Sequence, residues 1–150
     1  RRGKHAMRRQ RIVDESRDWL GTPYRHQAST KGAGTDCLGL LRGVWREVLG
    51  DEPEAAPPYS QDWDEVAGRD VLLAACRRLL KEREIAAAAP GDVVLFRMRA
   101  GAVAKHLGVI SGQGPARFIH AYSGHGVVEN TLSAPWARRI AAVFAFPGAG

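Results

Sequence analysis

A chain of 150 residues that is 45% hydrophobic and 25% charged has room for one domain around one core, and it resembles neither a disordered nor a fibrous polymer. Its apolar runs fall well short of the roughly 20 residues a membrane-crossing helix needs, which excludes membrane insertion, and two cysteines, Cys37 and Cys76, are too few for a disulfide framework. The formal charge of +6 is concentrated at the front, where Arg1, Arg2, Lys4, Arg8, Arg9 and Arg11 precede any acid. Residues 1–8 read as a flexible basic arm, with contact to nucleic acid or an anionic wall polymer as the functional alternative to a frayed terminus. The frayed terminus is the preferred reading, so nucleic acid is not an expected partner. The basic start has no apolar core followed by a cleavage site, so it does not read as a secretory signal. Met7 is a candidate initiator.

Ile12, Val13, Ser16, Trp19 and Leu20 share one face of a helix expected from about Met7 to Leu20, which Gly21, Thr22 and Pro23 end. Residues 24–35, YRHQASTKGAGT, read as a loop. A second helix is expected from about Asp36 to Leu49, with Leu38, Leu41, Trp45 and Val48 on one face and Gly50 at its C-terminal cap. DEPEAAPPYSQDW (51–63) has the acid and proline content of an exposed connection. A third helix, about Arg69 to Glu84, would bury Leu72, Leu73, Cys76, Leu79 and Leu80. Beyond AAAAPG the apolar period changes, and GDVVLFR, KHLGVIS, ARFIHAYS, GVVENT and ARRIAAVFAFP predict five strands in an antiparallel meander. Helices first and strands second make an α+β domain.

Cys37 opens the second helix, directly after an acid. A helix N-terminus carries roughly half a positive charge and unpaired N–H groups, both of which favour a thiolate. Such placement lowers a cysteine pKa from about 8.5 to between roughly 3.5 and 7.5, and the same amides can hold an oxyanion. Cys76, on an apolar helix face, reads instead as a small buried hydrophobe. A cysteine nucleophile needs a base, and the base needs an orienting group. KHLGVIS and ARFIHAYS flank the turn SGQGP. A hairpin symmetric about Gln113 would set His106 directly opposite His120, with Cβ atoms roughly 4.5–5.5 Å apart, an opposition that a one-residue slip would break. Together with Cys37 they suggest a Cys–His–His site. His26 reads as a loop residue, His125 as a turn residue and His5 as part of the arm. Asp36 serves as an N-cap on spacing alone, and Tyr24 either reaches the site or packs on the core.

GTPYR (21–25), DCLGL (36–40), PGDVVLF (90–96), KHLGVI (105–110) and FIHA (118–121) follow in an order that resembles the NlpC-type cell-wall peptidases, a papain-like family. The resemblance spans about Trp19 to Phe146. HLGVI, FIHAYSGHGVVE and PPYSQDW look most like the branch encoded among tail genes of prophages and gene transfer agents. The resemblance implies one cysteine peptidase domain over 1–150, with N-terminal helices packed on a five- to six-stranded antiparallel sheet. By the same resemblance Cys37 is the nucleophile, His106 the general base and His120 its orienting partner. Tyr24 matches a tyrosine whose hydroxyl lies near the nucleophile, and Asp36 an acid that helps recognise the amino end of a stem peptide. The implied reaction is hydrolysis of an amide in peptidoglycan stem peptides, often between D-glutamate and the diamino acid, without metal or organic cofactor.

Two departures from the family pattern bear on selectivity. Leu38 stands where many members have serine after the nucleophile, and His26 and Gln27 stand where Trp or Gly is common. The branch resemblance implies residence at a phage-like tail tip or baseplate, docked on hub proteins, with the particle carrying to the cell wall a chain made in the bacterial cytoplasm. Alternatives are a structural tail plug or adaptor that keeps the fold, an acyltransferase with the same Cys–His chemistry, an intracellular peptide-recycling enzyme, and a metal site of Cys37, His106 and His120. The last has ligand spacing that matches no compact zinc pattern.

Overall fold

The computed structural model describes residues 2–54, 70–99 and 101–150. Helix α1 runs Arg2–Asp18, so it starts ahead of Met7, and residues 2–8 form its first turns instead of a loose arm. Local apolar spacing is silent over residues 2–8, none of which is buried; farther along the helix Arg8 donates to the Pro147 carbonyl, Arg9 to that of Pro90 and Arg11 to that of Glu47. A two-stranded hairpin, β1 (Ser29–Thr30) and β2 (Gly34–Thr35), occupies the expected loop. Helix α2 is Cys37–Val48, with Asp36 as its N-cap and Gly50, at φ +102°, just beyond its C-terminus, as the local signals indicate. Gly43 lets α2 close on α1, since a Cβ there would lie 2.0 Å from the Trp19 ring.

Helix α3 covers Val71–Leu79 and buries Leu72, Leu73 and Cys76. The expected helix to Glu84 does not form. Leu80 turns extended, and Lys81–Arg83 become β3, paired with 143–145 of the last strand. Sheet pairing here overrides the helix propensity of KERE. The expected start of this helix at Arg69 and most of the 51–63 connection lie outside the described residues. A 3-10 turn at Ile85–Ala87 leads into β4 (Asp92–Arg97), β5 (Ala104–Gly112), β6 (Arg117–Tyr122) and β7 (Gly126–Thr131). A short helix α4 (Ala134–Ala137) then precedes β8 (Ile140–Ala145).

The six strands are antiparallel in the order β3-β8-β4-β5-β6-β7. Only β4 to β7 form a meander. β8 returns to the far side of β4, pairing Asp92 with Ala145 and Val94 with Val143. Its apolar residues 142–145 are buried, which suits an interior strand covered on both faces; a place beside β7, which ends in polar Glu129, Asn130 and Thr131, would leave them on an edge. One sheet face, with Val93, Leu95, Leu107, Val109 and Ile119, packs on Leu40, Leu41 and Val44 of α2 to form the main core. The other carries a smaller cluster of Val94, Phe96, Ile110, Phe118 and Val143, against which Leu132 and Trp136 pack. The histidines sit on this second face.

Candidate active site

Asp36 is buried and holds two segments together. Its Oδ1 accepts the Gly39 N–H at 2.8 Å, capping α2, and its Oδ2 accepts the Gln27 N–H at 2.7 Å, with His26 Nδ1 3.8 Å away. Gln27 adopts φ +64° to make this contact. Asp36 therefore joins the loop of His26 and Gln27 to the first turn of α2.

Cys37 follows, buried. Its thiol does not behave as the helix end alone predicts. Burial, and secondarily the Asp36 carboxylate, push it up to about 12, although the backbone N–H groups of Leu107, Leu38 and Cys37 itself pull the other way. The helix-end amides are present, but desolvating a lone thiolate outweighs them. The Leu107 amide is informative in another way. It brings the sulfur against β5 one residue from His106. Tyr24 is half-buried, is bridged to Thr35, and has its phenol pushed up to about 12 by burial and by the charges of Cys37 and Asp36. Leu38 points elsewhere, lining an apolar pocket of about 310 Å³ between α2 and α3 with Leu41, Trp45 and Leu79.

His106 and His120 are not directly opposed. The β5–β6 register pairs Val109 with Ile119 and Ile110 with Phe118, with an irregularity between Ile110 and Gly112. Continued along the strands, this register sets His120 across from Gly108 and His106 two residues away on the diagonal. The turn is centred between Gly114 and Pro115 and not at Gln113, since Gly112 pairs with Arg117, and the irregularity between Ile110 and Gly112 takes back only part of that displacement. An offset of two keeps both side chains on one face. Gly108 makes the diagonal passable, since a Cβ there would sit 3.1 Å from that of His120. Nε2 of His106 meets Nδ1 of His120 at 2.7 Å. Nε2 of His120 in turn meets Oδ1 of Asn130 at 2.7 Å.

Aromatic rings enclose the pair. Phe118 lies 4.3 Å from the His120 ring, Tyr122 5.9 Å from His106, and Trp136 of α4 5.8 and 5.2 Å from the two histidines. In this apolar setting burial, then the neighbouring His120, lowers the His106 pKa to about 3. Burial lowers His120 to about 4 against the opposing Asn130 bond, with His125 contributing in the same direction as burial. Both rings are neutral near pH 7. Among the described residues, no group of three His, Cys, Asp or Glu side chains is placed to hold a metal ion.

Tyr24, Asp36 and Cys37 thus converge at the start of α2, while His106 and His120 form a chain that the residue pattern anticipated in part. Asn130 and Trp136 were not anticipated. Asn130 becomes visible only once the β6–β7 register, Phe118 to Asn130, is known, and Trp136 lies in α4, a helix too short to carry a periodic signal.

The sequence signature of the NlpC/P60 family matches residues 21–144, and the chain belongs to that family. It is 32% identical over 130 residues to the murein DD-endopeptidase MepS/murein LD-carboxypeptidase of Escherichia coli K12, covering 86% of this chain and 58% of that protein. It is 29% identical over 123 residues to the gamma-DL-glutamyl hydrolase of Bacillus subtilis 168, covering 81% of this chain and 25% of that one. The chain therefore spans little more than half of the first relative and a quarter of the second. Among solved structures, the NlpC/p60 domain of the peptidoglycan hydrolase SagA superposes with a TM-score of 0.63 at 22% identity, over 92% of this chain and 98% of that domain. That likeness establishes the papain-like α+β fold.

Proposed function

We propose that this chain is a cysteine peptidase that hydrolyses amide bonds in peptidoglycan stem peptides, with Cys37 as nucleophile, His106 as general base and His120 as its orienting partner. The observation that carries the reading is the meeting of Cys37, at the first turn of α2, with the β5 backbone beside a hydrogen-bonded histidine pair. At rest thiol and imidazole are both uncharged, because each alone would be a desolvated charge. Proton transfer from Sγ to Nδ1 of His106 creates two opposite charges side by side, which lowers that penalty as the sulfur attacks the carbonyl carbon. We assign the oxyanion to the Cys37 amide, at the N-terminal end of α2. His106 then protonates the departing amine, and a water that it deprotonates releases the acyl group.

Tyr24 and Asp36 are assigned to the substrate side of this site. One relative is named a murein DD-endopeptidase and LD-carboxypeptidase and the other a gamma-DL-glutamyl hydrolase; the D-glutamyl–diamino acid bond is the one we assign, in keeping with the family resemblance. Tail-tip or baseplate delivery, with hub proteins as docking partners, is supported by the resemblance of HLGVI, FIHAYSGHGVVE and PPYSQDW to the tail-gene branch. Mass spectrometry of purified tail particles from the source bacterium tests it, and absence of the chain from such particles refutes it.

Digestion of purified peptidoglycan by the wild type and by Cys37→Ala, with products weighed by mass spectrometry, tests the activity. Stem-peptide fragments are expected from the wild type only, and their masses name the bond. No fragments from folded wild type, alone or with tail partners, would overturn the peptidase in favour of a structural plug. Products that appear only with an added amine acceptor would make the chain an acyltransferase.

A further inference from the structure

We propose that Asn130 is a positioning residue that fixes the proton on Nε2 of both histidines, so that His106 keeps an unprotonated Nδ1 for Cys37. The consequence for catalysis rests on the cysteine-peptidase reading, but the proton assignment does not.

The argument starts at the far end of the chain. The oxygen of a carboxamide accepts hydrogen bonds and cannot donate them. Oδ1 of Asn130 lies 2.7 Å from Nε2 of His120, so Nε2 carries the hydrogen. A neutral imidazole has one N–H, which leaves Nδ1 of His120 a lone pair. That lone pair faces Nε2 of His106 at 2.7 Å, so the hydrogen between the rings belongs to His106. Nδ1 of His106 is then a lone pair, the form a base must have. Turning the Asn130 amide over would put a donor against His120, reverse both rings, and leave His106 with Nδ1–H and no basic nitrogen for the thiol. A choice made at the rim of the sheet is thus read at its centre.

Sheet geometry keeps this relay in register. It crosses three neighbouring strands on diagonals: from β5 to β6 past Gly108, then from β6 to β7, where His120 pairs with Val128 and reaches Asn130 two residues on. The flanking Phe118, Tyr122 and Trp136 rings present little competing polarity to either imidazole. Burial keeps both rings neutral, the condition under which one tautomer dictates the next.

The test is a long-range proton–nitrogen correlation spectrum of the 15N-labelled protein at pH 8, for the wild type, Asn130→Ala and Asn130→Asp. Asn130 is exposed on β7, so both variants should fold. The wild type and Asn130→Asp, whose carboxylate can only accept, are expected to show Nε2–H on both rings. Asn130→Ala should show mixed tautomers at His106 and lose on the order of a hundredfold in kcat/KM on stem-peptide fragments, which Asn130→Asp largely restores. Nδ1–H on His106 in the wild type, or unchanged single tautomers in Asn130→Ala, overturns the proposal. Tautomers that follow Asn130 without any Cys37-dependent hydrolysis would sink the peptidase reading and leave the proton assignment standing.

Discussion

His106 and His120 are neutral rings in an apolar pocket, and that state has a stability signature. Folding moves them from the ordinary 6.5 to about 3 and about 4, burial being the first cause in each. Because the folded values are lowered, the unfolded chain binds more protons below pH 6.5, and stability present above that pH is lost on acidification. Each ring contributes up to about 1.4 kcal/mol per pH unit in this window. Burial pushes the Glu52 and Glu129 carboxyls up, but their hydrogen bonds and ion pairs outweigh it and hold both below 4.5, so these acids act only at lower pH. Urea unfolding should therefore show a loss of about 2 kcal/mol between pH 6 and pH 5. A His106→Gln/His120→Gln variant should show little of it. Equal slopes for the two proteins would mean that the rings titrate freely in the folded state.

At the scale of elements, the start of α2 depends on a residue without a side chain. A Cβ at Gly39 would lie 1.9 Å from the Ala28 carbonyl oxygen and 2.5 Å from Thr35 Oγ1. The Ala28 carbonyl cannot yield without moving the turn that Asp36 caps, and the Thr35 hydroxyl is tied to the Asp36 carbonyl. Gly39→Ala is expected to destabilise by about 2 kcal/mol or more through overpacking and to lower activity by displacing Cys37, whereas an ordinary Tm and full activity would show that the loop absorbs the methyl. This turn was legible in DCLGL because capping is written in neighbouring residues, and Gly50 marked the other end for the same reason. The short apolar runs between glycine and proline turns that reveal β4 to β7 are equally local. Non-local pairing was not legible: β3 exists because β8 lies beside it, and β8 lies there because β4 needs a second neighbour. The histidine register shows both sides of the matter. A turn centred beyond Gln113 left it offset by two residues, which strand parity forgives, so the shared face was readable while the contact was not. The rise of the Cys37 pKa was hidden likewise, since a helix end is visible in sequence and burial is not.

The whole molecule is closed by its N-terminal helix, and the closure rests on charge. The Arg9 guanidinium lies 2.8 Å from Asp92, whose side chain is fully buried, and Arg83 approaches the same carboxylate at 3.6 Å. Asp92 also accepts the Ala89 N–H at 2.9 Å, fixing the turn into β4. Gly91 lets Arg9 come this close, for a Cβ there would be 2.9 Å from that of Arg9. At its other end α1 is held by Arg17, which bonds the Ser111 carbonyl and Glu129. Arg8, Arg9 and Arg11 of the basic front are thus tied to the fold. Removing one partner of a mostly buried ion pair leaves an uncompensated charge, whereas replacing both with apolar groups does not. Asp92→Ala should lose about 3 kcal/mol in urea unfolding, and Arg9→Met/Asp92→Leu should recover most of it, since Arg83 keeps its bond to the Ala87 carbonyl. The relay of His106, His120 and Asn130 is not part of this pair, so activity per folded molecule should be unchanged in both variants. A loss under 1 kcal/mol for Asp92→Ala, or a double variant no better than the single one, would show that apolar packing alone docks α1.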